Sequence, residues 1–382
     1  MSKHPDAPRL ARALSIALIA AIGVGRVALA GDAATAPPAA GDLIAELGLK
    51  VDARPVRERS SWRPPHTILV AAELHDQLPL LRATAPAVKF IELSAGTSER
   101  ELATADAALG YCSPELLARA QRVAWIQSLG AGVERCLTLA GVREGRILLT
   151  NMQRAAGASM AEHVLALMLA LSRDFPAMFR DQQQGRWGRP EAGDGPTLAD
   201  LDGKTLLVVG LGGIGTEVAK RAHAFGMRVI ATRASGRTGP DYVSYVGPPE
   251  ELTALARQAD FVVNCAPLTP ATTGVFNATF FGAMKPTAYF LSVGRGRSTV
   301  TDDLVTALRE HRIAGAGLDV TDPEPLPPGH PLWTLPHVII TPHVSAYTPV
   351  VGEVRTEIVR ENLRRYVAGE AMLSVVDVAR GY

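Results

Sequence analysis

Apolar and polar residues alternate along the chain in two long series of short strands and helices. In the first series, strands are predicted for HTILVA (66–71), VKFIELS (88–94), ADAALGY (105–111) and VAWIQSL (123–129), with helical stretches between them. Short apolar runs separated by helices are typical of a parallel sheet that is covered by helices on both faces. The pattern therefore predicts one α/β unit over residues 62–150.

A second series begins after a long apolar helix, predicted over 159–175, that should be buried between two layers because it is apolar on most faces. An amphipathic helix is predicted over 351–370, near the end of the chain. Together the two series predict an α/β protein with two doubly wound, Rossmann-like parallel sheets. The strands predicted in the second series are TLLVVG (205–210), MRVIAT (227–232), FVVNC (261–265), AYFLSV (288–293), GAGLDV (315–320) and HVIIT (337–341).

Residues 1–30 have the layout of a secretory signal peptide: basic residues precede an apolar stretch (13–25), and a small-x-small pattern follows at 28–30. The apolar stretch is short for a spanning helix, which needs about 20 residues, so no stable membrane anchor is expected. A disordered Ala-rich extension or a misplaced start codon is the alternative. Residues 31–61 contain several Pro and charged residues and are predicted to form a flexible linker.

Composition places the chain among ordinary globular proteins. Of its 382 residues, 47% are hydrophobic and 20% charged, and the formal net charge is +1, so no nucleic-acid partner is expected. The three cysteines, Cys112, Cys136 and Cys265, are scattered and odd in number. They are predicted to be buried free thiols, without a disulfide framework and without a metal site.

The string GLGGIG (210–215) joins a predicted strand to a predicted helix. In such a loop the first glycine permits a sharp turn, the second lets the backbone approach a pyrophosphate, and the third lets helix and strand pack closely. Free N–H groups at the helix N-terminus attract the phosphates. A turn without any ligand is the alternative. The dinucleotide contacts predicted in this loop are Gly210, Gly212, Gly213, Ile214 and Gly215.

Arg233 occupies the end of the second strand of this unit, where an Asp or Glu usually binds the adenosine ribose hydroxyls. A guanidinium can instead bind a 2′-phosphate through a bidentate, charge-assisted pair. Ser235 and Arg237 are close enough in sequence to assist. An arginine at this position therefore predicts that NADP is preferred over NAD as the cofactor. An arginine in solvent, or one stacked on adenine with relaxed cofactor choice, is the alternative.

Three residues of the second series follow predicted strands and together suit one reaction. They are Arg295 after AYFLSV, Glu324 after GAGLDV and His343 after HVIIT. Ligands of open parallel sheets bind beyond the carboxyl ends of the strands, so the three side chains should share one crevice. A histidine can exchange the proton of a 2-hydroxy acid, a glutamate can orient it, and an arginine can bind a carboxylate. The alternative for each residue, taken alone, is an ordinary structural or surface role.

Several strings resemble the D-isomer-specific 2-hydroxyacid dehydrogenases, and the similarity extends over most of residues 62–370. The resemblance implies that Arg295 binds substrate, that Glu324 tunes the histidine and that His343 is the catalytic acid/base. The strings are LGAGVERC (129–136), TNMQRAAGASMAEH (150–163), VVGLGGIG (208–215), APLTPATTGVFN (266–277), SVGRGRSTVTDDLVTAL (292–308), GAGLDVTDPEPLP (315–327) and ITPHVSA (340–346).

The resemblance also implies further contacts and an architecture. Asp319 would face the nicotinamide carboxamide, and a split substrate domain (62–153 and 345–382) would enclose an inserted dinucleotide domain (154–344). Homodimers would form through the dinucleotide domain. Ser292 departs from the family, in which many members carry Asn before the VGRG string. The implied substrate contacts are the backbone groups around Ala131, Gly132 and Val133; the implied cofactor contacts are Ala266, Pro267, Thr272, Val293 and Gly294.

The expected function is reduction of a small 2-keto acid, such as glyoxylate or hydroxypyruvate, to the D-2-hydroxy acid with NAD(P)H. One alternative is a non-catalytic, nucleotide-sensing protein similar to the corepressors among the relatives. Another is a dehydrogenase of a different small anion, such as phosphite or formate. The protein is expected to be exported to the periplasm if residues 1–30 are a signal peptide, and cytoplasmic otherwise.

Overall fold

The structure is a computed structural model that describes residues 40–188 and 198–382. The predicted signal peptide, and the part of the predicted linker before residue 40, lie outside these residues. The described strands are β1 (Val51–Pro55), β2 (Thr67–Val70), β3 (Lys89–Glu92), β4 (Ala107–Leu109), β5 (Trp125–Gln127), β6 (Leu148–Thr150), β7 (Thr205–Val209), β8 (Arg228–Thr232), β9 (Tyr245–Gly247), β10 (Phe261–Asn264), β11 (Tyr289–Ser292), β12 (Gly315–Leu318), β13 (Val338–Ile340) and β14 (Ala371–Leu373).

Helices cover the sheets and connect their strands. They are α1 (Ala40–Leu47), α2 (Leu78–Thr84), α3 (Glu99–Ala103), α4 (Pro114–Arg119), α5 (Ala140–Arg143), α6 (Gly157–Ser172), α7 (Phe175–Gln183), α8 (Gly213–Ala224), α9 (Leu252–Ala256), α10 (Ala278–Ala283), α11 (Thr301–Arg309) and α12 (Pro349–Ala368).

Two parallel sheets confirm the predicted fold class. The first has five strands in the order β3-β2-β4-β5-β6, and the second has seven in the order β13-β12-β11-β10-β7-β8-β9. Most strand residues are buried on both faces, which explains their continuous apolar runs. In the seven-stranded sheet the strand order reverses where β10 lies beside β7. The loops that leave these two strands therefore open a crevice at the carboxyl edge of the sheet.

The chain returns to the first sheet after completing the second. On α12, Ile358 and Leu363 join the same core as Ile68 of β2, and Tyr366 stacks on Trp125 with ring centroids 4.6 Å apart. The seven-stranded unit is therefore inserted into a split five-stranded unit, as expected. The two crossings fall between β6 and α6 and between β13 and α12; the predicted boundaries at 153/154 and 344/345 lie within these connections and stay predictions.

The prediction of a flexible linker over 31–61 is wrong for residues 40–61. These residues form α1 and β1, and β1 pairs antiparallel with β14. Leu43, Leu49 and Val56 are buried in the core beneath the first sheet. The partner of β1 lies at the far end of the chain, so no window of local sequence could show that these charged and Pro-containing residues pair.

The prediction of three free thiols is wrong for two of them. Cys112 and Cys136 form a disulfide, with Cα atoms 4.8 Å apart, whereas Cys265 is free. Cys112 follows β4 and Cys136 follows β5, and these neighbouring parallel strands bring their loops together at one edge. The sequence separation of the two cysteines carries no information about that proximity.

Burial of the N-terminal segment can be tested with a matched pair of substitutions. Val56 is 2% exposed, whereas Val51 on β1 is 41% exposed. We expect Val56→Asp to lower the free energy of unfolding by about 3 kcal/mol, because a charge would be buried without a partner. Val51→Asp, the control, should change it little. Urea denaturation measures both, and equal stability of the two variants would show that the segment is not docked.

Candidate active site

The glycine loop turns from β7 into α8 and leaves open space before the helix. Gly210 has φ of +94°, and a Cβ on Gly215 would lie 2.3 Å from the carbonyl oxygen of Gly210. Helix and strand therefore pack too closely for a side chain at Gly215. A Cβ on Gly212, by contrast, would meet no described atom within 4 Å. A cradle of free backbone beside a helix N-terminus fits the pyrophosphate of a dinucleotide.

The remaining members of the predicted loop border this cradle. Gly213 begins α8 and lies against Arg154, because a Cβ on Gly213 would come within 2.7 Å of the Arg154 Cγ atom. Ile214 is half-buried and packs against the core of the seven-stranded unit. The structure thus brings all five predicted residues of the loop together at the carboxyl end of β7.

At the end of β8, Arg233 and Ser235 are brought together, but Arg237 is directed elsewhere. Arg233 donates from Nε to the Ser235 hydroxyl at 2.8 Å. Arg237 forms an ion pair with Glu251 at 2.9 Å and donates to the Tyr245 hydroxyl at 3.2 Å. The positive charge of Arg237 is thus balanced by a carboxylate, which leaves Arg233 as the stronger candidate for binding a phosphate at this edge.

The loops after β10 and β11 lie against each other beside the glycine loop. Ala266 donates its backbone N–H to the Asn264 Oδ1 atom at 3.1 Å, and the Thr272 hydroxyl donates to the Pro267 carbonyl at 2.7 Å. A Cβ on Gly294 would lie 2.8 Å from the Ala266 carbonyl oxygen. Four predicted cofactor contacts therefore share the crevice, although Thr272 mainly braces its own loop.

Asn264 binds the hydroxyl of Ser292, the position at which this chain departs from many family members. Its side-chain amide is fully buried and donates to the hydroxyls of Ser292, at 3.1 Å, and Ser298, at 2.8 Å. Its backbone carbonyl oxygen accepts from the N–H of Val293 at 3.1 Å. The Ser298 hydroxyl in turn donates to the backbone carbonyl of Arg295 at 2.6 Å. A buried amide on the neighbouring strand thus fixes the turn that carries Arg295.

Arg295 extends from the seven-stranded unit to the loop that follows β5. Its Nε donates to Glu134 at 3.1 Å, and its Nη1 donates to the Gly294 carbonyl at 2.7 Å. A Cβ on Gly132 would lie 1.5 Å from Nη2, so the guanidinium occupies the space that a side chain there would take. The predicted carboxylate-binding arginine therefore lies against the predicted substrate loop.

Two contacts fix the predicted substrate loop, residues 131–133, to the five-stranded unit. The Asn151 side-chain amide donates to the Ala131 carbonyl at 2.8 Å, and Val133 is buried in the core of the five-stranded unit. Gly132, between them, faces Arg295. The three residues named for the substrate carboxylate thus form a short anchored turn at the carboxyl edge of the first sheet.

His343 and Glu324 form the predicted pair. The distance from His343 Nδ1 to Glu324 Oε1 is 2.7 Å, and both side chains are about half-exposed. Since a carboxylate only accepts hydrogen bonds, Nδ1 carries the proton and Nε2 is left to exchange one with a ligand. His343 has φ of +54°, a left-handed conformation that is uncommon for a residue other than glycine and that clusters at functional sites.

Asp319 holds the backbone that carries His343. Its buried carboxylate accepts from the Thr341 hydroxyl at 2.7 Å and from the N–H groups of Val344 and Ser345 at 2.9 and 3.1 Å. Burial alone would raise the pKa of Asp319, but these hydrogen bonds outweigh it and keep the pKa below its ordinary value. Its predicted contact with the nicotinamide carboxamide stays a prediction.

Among the polar residues of this site that were not predicted from the sequence are three whose side chains join separate segments. They are Asn264, Glu134 and His163, whose Nε2 lies 2.9 Å from the Thr341 hydroxyl and thereby joins α6 to the end of β13. Each is a polar side chain in or beside an apolar run, which is the one local sign that could have marked it.

Other kinds of site receive no support from the described ranges. Across residues 40–188 and 198–382, no group of three or more His, Cys, Asp or Glu side chains is placed to hold a metal ion. Over those same residues, every helix is too short or too polar to cross a lipid bilayer.

A glycine loop at the switch point of a parallel sheet, with arginine, glutamate and histidine on adjoining strand ends, defines a dinucleotide-dependent dehydrogenase. The family model described as D-isomer specific 2-hydroxyacid dehydrogenase, NAD binding domain, matches residues 165–345. Glyoxylate/hydroxypyruvate reductase A of Photorhabdus laumondii is 32% identical over 286 residues, which cover 73% of this chain and 88% of the relative. The chain belongs to the D-isomer-specific 2-hydroxyacid dehydrogenase family.

Solved structures agree with this assignment. A family protein from Aeromonas salmonicida superposes with a TM-score of 0.71 at 31% identity, covering 82% of this chain and 99% of that one. An NADPH-dependent glyoxylate/hydroxypyruvate reductase from Sinorhizobium meliloti, solved with NADP and sulfate, gives a TM-score of 0.72 at 28% identity, with coverage of 83% and 100%. Both share the two-sheet architecture described above.

Proposed function

We propose that the protein reduces a small 2-keto acid of the glyoxylate or hydroxypyruvate class to the D-2-hydroxy acid with NAD(P)H. The observation that carries the proposal is the 2.7 Å pair of His343 and Glu324 together with Arg295 seated on the Gly132 turn. The names of the Photorhabdus and Sinorhizobium relatives support the same substrate class.

The residues divide the reaction among themselves. Arg295 and the backbone of the 131–133 turn bind the substrate carboxylate, and the guanidinium polarises the C2 oxygen. The reduced cofactor supplies the hydride that C2 receives. His343 delivers a proton from Nε2 to the C2 oxygen, so that the C2 carbonyl group becomes an alcohol. Glu324 accepts a hydrogen bond from Nδ1, which fixes the orientation of the ring.

A non-catalytic nucleotide sensor would not require this set, since binding a dinucleotide needs neither a carboxylate-paired histidine nor the Arg295 guanidinium across the crevice. A dehydrogenase of phosphite or formate would use the same cofactor with another small anion. Absorbance at 340 nm separates these cases when NADPH is supplied with glyoxylate or hydroxypyruvate, which oxidise it, and NADP with phosphite or formate, which reduce it. We expect turnover with a keto acid; turnover with phosphite or formate alone, or with none of the four, would refute the proposal.

Proton transfer by His343 can be tested by substitution. We expect His343→Gln to lower kcat by about 100-fold or more, because glutamine cannot donate a proton to the C2 oxygen. NADPH affinity, measured by fluorescence titration, should be unchanged. His223→Gln, on the exposed side of α8, is the control and should keep full activity. Near-normal turnover of His343→Gln would remove this residue from the mechanism.

We propose that NADP(H) is preferred over NAD(H), supported by Arg233 and Ser235 at the end of β8. Arg233→Ala should lower kcat/KM for NADPH by about 10-fold and leave that for NADH nearly unchanged, since only NADPH carries the 2′-phosphate. Arg237→Ala is expected to lower kcat/KM for NADPH less, because the Arg237 side chain pairs with Glu251. A preference of the unaltered protein for NADH would contradict this assignment.

We propose that the protein is a homodimer formed through the seven-stranded unit. In support, α7 buries none of its residues, and Phe179 and Trp187 are 56% and 95% exposed. Light scattering after gel filtration should give twice the chain mass. Phe179→Asp combined with Trp187→Asp should halve it, whereas Val350→Asp, at an exposed position of α12, should not. A monomeric unaltered protein would refute the proposal.

We also propose that residues 1–30 are a signal peptide and that the protein is exported. The Cys112–Cys136 disulfide supports this location, because structural disulfides persist mainly in oxidising compartments. Export followed by cleavage after residue 30 would give a mature chain that begins at Gly31. N-terminal sequencing of the protein from its native host tests this expectation, and an intact N-terminus in the cytoplasm would contradict it.

A further inference from the structure

Glu134 lies where the two units of the molecule meet at the crevice. It belongs to the loop after β5, directly after the 131–133 turn, whereas its partner Arg295 follows β11 of the other sheet. Glu134 Oε1 and Arg295 Nε are 3.1 Å apart, and each side chain keeps about a third of its surface exposed. An ion pair that is partly shielded and joins two units is placed to set the orientation of the arginine.

The Arg295 guanidinium presents its donors in three directions, and two of them are taken. Nε donates to Glu134, and Nη1 donates to the Gly294 carbonyl. Nη2 lies over Gly132, at the turn proposed to receive the substrate carboxylate, and donates to no acceptor among the described residues. The two hydrogen bonds therefore fix the plane of the guanidinium and place Nη2 at the Gly132 turn.

We propose that Glu134 is a positioning residue for Arg295, and this inference rests on the proposed keto-acid reduction. A long arginine side chain loses rotamer entropy when it is held in one orientation. Because Glu134 holds Nε before the substrate binds, the side chain of Arg295 loses less freedom at the binding step. The arginine should therefore bind the substrate carboxylate more tightly and in a more accurate position. Glu134 touches neither substrate nor cofactor in this role and acts only through the guanidinium.

If Glu134 competed with the substrate and did not position Arg295, its removal would have the opposite effect on KM. If the Glu134 carboxylate stood in for the substrate carboxylate, it would compete with the keto acid, and its removal would lower KM. The hydrogen bond from Arg295 to Glu134 comes from Nε and not from Nη2, the nitrogen nearest Gly132, which favours positioning over competition. The direction of the change in KM therefore separates the two roles.

The experiment compares Glu134→Ala and Glu134→Gln with the unaltered full-length protein, using glyoxylate and hydroxypyruvate as substrates and oxamate as a non-reacting carboxylate probe. We expect Glu134→Ala to lower kcat/KM for the keto acid by about 10- to 100-fold, mainly through KM, and to weaken oxamate inhibition by a similar factor. KM for NADPH and the melting temperature should not change. Glu134→Gln should lose less, because its amide oxygen still accepts from Nε, though without charge.

Glu144→Ala is the matched control, since Glu144 is an exposed glutamate of the same unit that pairs only with Arg146. Should Glu134→Ala fail to fold, the isosteric glutamine variant still gives the comparison. An unchanged or lowered KM for the keto acid in Glu134→Ala would overturn the positioning role while leaving the proposed function intact. Absence of keto-acid reduction by the unaltered protein would instead refute the proposed function and this role with it.

Discussion

The placement of His343 depends on one buried carboxylate. Asp319 accepts from the Thr341 hydroxyl and from two backbone N–H groups, and its own backbone carbonyl accepts from the N–H of His343 at 2.9 Å. Hydrogen bonds to a charged group contribute about 1.5–3 kcal/mol each, enough to hold His343 in its left-handed conformation beside Glu324. Because the pKa of Asp319 is lowered, this stabilisation is present above the ordinary carboxylate pKa and is lost only as pH falls through the lowered value.

The rest of the site follows from the geometry of parallel sheets. The carboxyl ends of parallel strands lie at one edge of a sheet. The order of the strands is therefore enough to bring together the loops after β7, β10, β11, β12 and β13. The buried amide of Asn264 then fixes the turn of Arg295 from the neighbouring strand. Arg295 extends to the five-stranded unit, where Gly132 makes room for it. The site is thereby divided between two units, with His343 on one and the 131–133 turn on the other.

What the sequence could predict was local. The glycine loop, Arg295, Glu324 and His343 lie within six residues of the ends of apolar strands, so their position at the crevice follows from strand order alone. What it could not predict depends on contacts between distant segments. The pairing of β1 with β14, the Cys112–Cys136 disulfide and the Arg295–Glu134 pair each join residues whose proximity arises only once the sheets are assembled.

Arg237 shows the same limit on a smaller scale. By sequence it accompanies Arg233 at the predicted phosphate position, yet the structure directs it to Glu251, just beyond β9. A charge that is paired with a neighbouring carboxylate contributes less to an anion site than its sequence position suggests.

Arg295 and His343 are proposed to act on one substrate from two sides of the crevice, and the rest of the mechanism depends on that. A crystal structure of the protein with NADP and oxamate tests it most directly. We expect the oxamate carboxylate on the 131–133 turn and Arg295, with its amide oxygen about 3 Å from His343 Nε2. Oxamate bound away from Arg295, or His343 Nε2 turned away from it, would contradict this mechanism.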